Sequence, residues 1–251
     1  MKDKYSNYHT HTTFCDGKDT PEDMIIHAIS LGCPEIGFSG HSYTYFDESW
    51  CMSKEETEGY FKCISALKEK YSDKIKVRLG IEQDLWSEEP TDRYDYVVGG
   101  VHYVKKEDSF LPTDESAELT KKIVAEHYRG DYISFCEDYF RDASLLYERT
   151  KCDIIAHFDI ITKFNEGDIL FDTSCERYRK AYLSALDILC KTPVKFEINT
   201  GAISRGYRTA PYPAPDIITE IKKRGSELIL SSDAHAMEGL LFGFDKYACL
   251  L

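Results

Sequence analysis

Six of the eight histidines in this chain stand at or just past the end of a short strand-like run, and several acids stand with them. After the first run come His9, His11 and Asp16; after the second, His41; after the third, Glu82 with Gln83 and Asp84 beside it. His102 follows the fourth run, His157 with Asp159 the fifth, Asn199 the sixth, and Asp233 with His235 the seventh. Imidazole and carboxylate are the groups that bind Zn²⁺, Mn²⁺ or Fe²⁺. A carboxylate such as Glu82 can bridge two ions. Two or three ions roughly 3.5–4 Å apart clamp the attacking and leaving oxygens of a phosphoryl transfer, and they turn a bridging water into hydroxide near neutral pH.

Each of these residues has a plainer explanation when taken alone. His9-Thr10-His11 could be a surface strand with both rings on one side. Asp16-Gly17 is a turn signature. Glu82 could pair with a lysine, and Asp233-Ala234-His235 could be a helix cap followed by a loop histidine. Placement of the whole set behind seven successive runs is what favours a shared metal centre. His27 and His127 fall inside helical segments without a partner at ligand spacing and are read as structural.

Seven strands are expected, over Tyr5–His9, Glu35–Gly40, Lys76–Ile81, Tyr94–Val101, Cys152–Ala156, Val194–Ile198 and Glu227–Leu230. Runs such as "DYVVGG", "VKFEIN" and "ELILSS" are apolar without clean alternation, as strands covered on both faces are. Helices are expected between them. Thr20-Pro21-Glu22-Asp23 offers a cap, a proline at the first helical position and acids in the first turn of a helix reaching Leu31, with Gly32 as its stop. Ser53-Lys54-Glu55-Glu56 fits a capping box ahead of a helix running to about Tyr71. Further helices are expected over 115–129, 131–149, 174–190 and 215–224. Strands alternating with helices predict an α/β fold with a parallel sheet. In a parallel barrel the C-terminal strand ends open on one face, so residues remote in sequence share one pocket. No repeat, low-complexity tract or linker interrupts the pattern, and one domain over residues 1–251 is expected.

The bulk numbers agree with that reading. Hydrophobic residues make up 42% of the 251 and charged residues 30%, enough for a full core under a solvated surface. The net charge of −13 disfavours nucleic acid and anionic membrane as partners. The nine cysteines are odd in number and contain no CxxC pair, and no apolar leader opens the chain. A cytoplasmic protein with reduced, structural thiols is expected, with Cys15, beside Asp16, the one worth watching.

The runs "YHTHTTFCDG", "GFSGH", "GIEQD", "GGVHY", "AHFD" and "SSDAH" are similar, in order from Tyr8 to His235, to the successive motifs of the PHP (polymerase and histidinol phosphatase) superfamily. "EINTGAISRGYRTAPYPAP" and "AHFDIITKFNE" resemble its histidinol-phosphate phosphatase branch. The resemblance implies a distorted (β/α)₇ barrel holding three divalent metal ions, zinc, manganese or iron. His9, His11, Glu82 and Asp233 resemble the ligands of the first ion. Glu82, His102 and His157 resemble those of the second, with Glu82 bridging, and Asp16, His41 and His235 those of the third. Relatives vary at the position of Asp16, some placing a histidine at slightly different spacing.

The activity implied is hydrolysis of L-histidinol phosphate to L-histidinol and inorganic phosphate in histidine biosynthesis. A hydroxide bridging the ions would attack phosphorus in line, with Glu82 holding the ions and Asp233 or His235 handling the proton. Arg205, Arg208 and Lys163 are candidates for the phosphate. Tyr207 and Tyr212 could wall the imidazole, and Asp84, Glu88 or Glu89 could meet the substrate amine. Two other readings stay open: a phosphoesterase of the same fold acting on another small phosphate or a nucleotide, and a metal-binding regulatory module without hydrolysis.

Overall fold

The computed structural model describes residues 5–251. Among the described residues, eight strands, β1 (Glu35–Phe38), β2 (Lys76–Asp84), β3 (Tyr96–Gly100), β4 (Tyr103–Lys106), β5 (Ser109–Pro112), β6 (Ile154–Ile155), β7 (Lys195–Asn199) and β8 (Leu228–Ser231), fall into two sheets. Six of them pair in parallel in the order β1-β2-β3-β6-β7-β8, and β4 with β5 forms a separate antiparallel hairpin. The helices between them are α1 (Pro21–Ser30), α2 (Lys54–Lys70), α3 (Ala117–Tyr128), α4 (Tyr132–Ala143), α5 (Leu146–Thr150), α6 (Glu176–Leu189), α7 (Gly201–Ser204), α8 (Pro215–Lys223) and α9 (Phe244–Tyr247).

The sheet curls, and residues 7–11 bridge its two edges. On the β1 side Asn7 donates to Glu35, Gly37 donates back to Asn7, and Ser39 donates to Thr10. On the β8 side His11 N–H donates to the Ala234 carbonyl at 2.8 Å, and Ala234 donates to His9. The result is a distorted barrel with six laddered strands and one bridging segment. The expected first strand, Tyr5–His9, is therefore corrected to isolated bridges at Asn7 and Thr10. Side chains occupy the ladder positions there: the Tyr96 hydroxyl reaches the Tyr8 carbonyl at 2.6 Å, and Thr10 N–H donates to Ser39 Oγ at 3.1 Å.

Register fixes what points inward. Gly80, Ile81 and Glu82 pair with Tyr96, Val97 and Val98; Val98 pairs with Ile154, Ile154 with Lys195, and Glu197 with Ile229. Tyr96, Val98, Ile154 and Ala156, with Tyr8 and Ile229 against them, form one small cluster inside the barrel. Period two then sends Glu82 and Glu197 inward as well. The Tyr96 ring fits because Gly37 and Gly80 face it: an added Cβ on either would lie 2.3 Å from that ring or its hydroxyl. The larger apolar core lies between the sheet and the helices.

Both expected caps are present. Thr20 accepts from Asp23 N–H ahead of α1, and Ser53 and Glu56 make the reciprocal box ahead of α2. The single helix expected over 131–149 is two helices, because Leu145 N–H bonds back three residues to Asp142 and tightens the chain between α4 and α5. The β4–β5 hairpin was not foreseen. It turns at Glu107-Asp108, with Glu107 at φ 53°, and that pair is not one of the usual glycine-bearing hairpin signals. Among the described residues, no helix is long and apolar enough to cross a membrane.

Candidate metal centre

Every histidine singled out behind a strand reaches the same end of the barrel. His9 and His11 lie on the bridging segment, and Asp16 lies in the turn that follows, where Cys15 and Gly17 both donate to the Thr12 carbonyl. His41 follows β1 and bridges to Glu82, which sits in β2 itself because that strand runs on to Asp84. His102 sits between β3 and β4, His157 follows β6, and Asp233 and His235 follow β8. His27 and His127 lie on α1 and α3 and take no part.

Glu82 is the hub, with 1% of its surface exposed. Its Oε2 lies 2.9 Å from His9 Nε2, 3.3 Å from His11 Nε2 and 3.1 Å from His41 Nδ1. Its Oε1 lies 3.1 Å from His157 Nε2 and 3.4 Å from His102 Nε2. Gly100 makes room for this crowding, since a Cβ there would lie 2.8 Å from His102 and 2.9 Å from Glu82. Asp233 Oδ1 lies 3.3 Å from His11 Nε2 and 3.6 Å from His9 Nε2. Towards the mouth, Asp16 is 3.1 Å from His235 Nε2, 3.6 Å from His41 Nε2 and 3.7 Å from His11 Nδ1.

This donor set fits divalent metal ions. Four groups bring ligand atoms close enough to share an ion: His9, Glu82 and His157; His9, His11 and Asp233; His41, Glu82 and His102; and His11, Asp16, His41 and His235. Five imidazoles converge on one carboxylate. They cannot all be cations at such spacing, and a neutral imidazole offers a lone pair. His11 Nε2 and His41 Nδ1 are buried without a hydrogen-bond partner, which suits atoms meant for an ion. Burial and the neighbouring His235 and His41 push the His11 pKa down to about 3, which favours the neutral ring.

The carboxylates stay ionised. Burial opposes charge on Glu82, but His9, His41 and His102 outweigh it and hold it well below the usual range. Asp233 behaves alike, with Arg205 and His9 outweighing its burial. Burial likewise opposes charge on His102, and the hydrogen bond to Asp84 together with Glu82 lifts it to about 9.

The centre opens into a cavity of about 880 Å³. Arg205 lines it and donates to the Asp233 carbonyl at 3.1 Å and to Asp233 Oδ2 at 3.2 Å, with a further close contact to His235 Nδ1. Lys163 and Tyr207 line it too; the Lys163 ammonium pairs with Asp114 at 3.0 Å and lies over the Tyr207 ring.

Other candidates lie elsewhere. Arg208 is outside the lining, donating to the Thr162 carbonyl at 3.0 Å and stacking on the buried Tyr212. Asp84 stands behind His102, accepting from its backbone N–H at 3.1 Å and facing its Nδ1 at 3.3 Å. Glu88 and Glu89 do not line the cavity, whereas Asp47, Asp114, Glu115 and Glu238 do. Trp50, edge-on to His41, and Phe242 were also missed and had no sequence signal. Glu197 was missed despite one, an acid within the apolar run "VKFEIN".

The profile described as PHP domain matches residues 7–201. A Deinococcus radiodurans protein named "Probable histidinol-phosphatase" is 28% identical over 240 residues, covering 90% of this chain and 85% of that protein. The histidinol-phosphatase of Bacillus subtilis is 24% identical over 265 residues, 95% of this chain and 96% of that one. In fold, the chain is similar to HisK from Listeria monocytogenes, with TM-score 0.84 at 22% identity over 96% of this chain and 99% of that one. It is also similar to the Lactococcus lactis histidinol phosphate phosphatase, solved with zinc, L-histidinol and phosphate, with TM-score 0.68 at 21% identity over 98% and 92% of the two chains.

Proposed function

The chain belongs to the PHP domain family, and from that premise we propose that it is a metal-dependent phosphoric monoester hydrolase converting L-histidinol phosphate to L-histidinol and inorganic phosphate. The observation that carries the reading is the convergence of five imidazoles on the Glu82 carboxylate beneath an open cavity. The names of the relatives and the ligands of the Lactococcus lactis structure point to the same substrate.

Three ions of zinc, manganese or iron would be held by His9, His11, Glu82 and Asp233, by Glu82, His102 and His157, and by Asp16, His41 and His235. When bound, such ions supply Lewis acidity and an ionised water near neutral pH. The chain's own residues do the rest. Arg205, fixed against Asp233, presents a guanidinium to the phosphoryl oxygens and holds the ester against the centre. Lys163 adds a second cation to the wall. Asp233 or His235, the most exposed imidazole of the centre, would handle the proton of the departing alkoxide at an atom the ions leave free. Asp47, Asp114, Glu115 and Glu238 give the wall acids that suit a cationic amine.

The test is elemental analysis of purified protein together with phosphate release from a panel of phosphorylated metabolites. Bound divalent metal with preference for L-histidinol phosphate is expected. Turnover of a nucleotide but not of histidinol phosphate would change the substrate, and metal-loaded protein inert towards every phosphomonoester would leave a binding module.

A further inference from the structure

Glu197 lies inside the barrel on β7 with 1% of its surface exposed, and it does not line the cavity. A carboxylate so buried is costly unless each oxygen is satisfied. Here each is. Oε1 is 2.7 Å from His9 Nδ1, on the side of the ring away from Glu82. Oε2 accepts from His157 backbone N–H at 3.2 Å and from Asn199 Nδ2 at 2.9 Å. Asn199 Nδ2 also lies 3.4 Å from Asp233 Oδ2, and its own Oδ1 accepts from Gly201 N–H. One side chain therefore touches His9 directly, His157 through its backbone and Asp233 through Asn199.

We infer that Glu197 is a positioning residue that fixes His9 in its Nδ1–H tautomer, turning Nε2 with its lone pair towards Glu82 and Asp233. The inference rests on the metal-centre reading above. The chemistry requires an anion. The His157 and Asn199 amides present N–H to Oε2, and an ionised carboxylate only accepts, so the His9 ring must present its N–H to Oε1. A glutamine offers one acceptor and one NH₂. With its NH₂ turned to His157 and Asn199 it meets two donors; turned to His9 it is satisfied only when the ring carries its proton on Nε2, which takes the lone pair away from the metal side. Partners that hold a ligating histidine from behind in this way typically change metal affinity about 10–100-fold when lost.

Two measurements test this with zinc alone as the probe. In competition with a chelator, Glu197→Gln should bind zinc roughly 10–100-fold more weakly than wild type, while its metal-free form melts within a few degrees of metal-free wild type. Unchanged zinc affinity would overturn the inference. So would a weakened metal-free fold that accounts for the whole loss, since that is a merely structural role. The second measurement needs no variant: ¹⁵N–¹H correlation of zinc-loaded wild type should show His9 protonated at Nδ1, and protonation at Nε2 would overturn it. Wild type that binds no zinc would sink the metal-centre reading itself, a different result from normal binding in both proteins.

Discussion

His9, His102 and His157 are held from behind, whereas Asp16 and His235 near the mouth meet each other across two loops; His41, as buried as His102, spans the two regions through Glu82 and Asp16. Behind the inner rings, Glu197 takes His9 Nδ1 and the His157 amide, and Asp84 takes the His102 amide. At the mouth, the Asp16 side chain is 35% exposed and His235 18%, and their contact at 3.1 Å joins two loops. The residue types are the same in both regions. What differs is how much of the geometry is fixed before an ion arrives, and ordering side chains costs binding free energy. The inner positions should therefore hold metal more tightly than the outer one.

The largest effect is expected at Glu82, which belongs to both inner groups. Glu82→Ala should lose inner metal by elemental analysis and lower kcat/KM by more than the roughly 10²–10³-fold that loss of a single oxyanion donor costs. Near-normal turnover would remove Glu82 from its central place. Next, Asp16→Ala should release only outer metal and cost roughly 10–100-fold in kcat, if an outer ligand matters about as much as a typical supporting contact. Equal metal loss in the two variants would erase the distinction between the regions. Timed chelation of wild type should be biphasic, with the fast phase removed in Asp16→Ala; one phase would say that the centre dissociates as a unit.

Smaller effects sharpen the picture. Arg205→Ala should cost about 2 kcal/mol, roughly 30-fold in kcat/KM, mostly in KM. An unchanged KM would mean that Arg205 serves Asp233 rather than substrate. The smallest effect on turnover is expected at Asp159, which is buried beneath the Arg208 loop, accepts from Ala214 N–H and is pushed by burial up to about 6. With its folded pKa above the unfolded value, the native state binds the extra proton between about pH 4 and 6, so this residue's contribution to stability falls as pH rises through that window, by about 3 kcal/mol in all. Relative to Asp159→Asn, wild type should lose that much stability between pH 4 and 7 in denaturant unfolding. A pH-independent difference would contradict the shifted Asp159.

The division between the two regions also explains what could be read from the sequence. The histidines and acids behind each apolar run were legible because a parallel barrel delivers every strand end to one face. Helix caps at Thr20 and Ser53 were legible because they are local. The bridging segment was over-read as a strand, since the residue types of Tyr5–His9 do not reveal that Tyr96 and Ser39 fill its ladder positions. The supports were harder. Glu197 and His9 are 188 residues apart and meet only through closure of the barrel. Arg208 and Arg205 look alike in sequence, yet one turns to Thr162 and the other to Asp233, and no local signal distinguishes them.

The most direct measurement is anomalous scattering at the zinc edge from crystals of zinc-loaded protein. The account predicts peaks between Glu82 and the rings of His9, His11, His102 and His157, at about 2.0–2.2 Å from ligand atoms. Zinc bound only at surface sites, with those side chains hydrogen-bonded to one another around an ion-free Glu82, would contradict it.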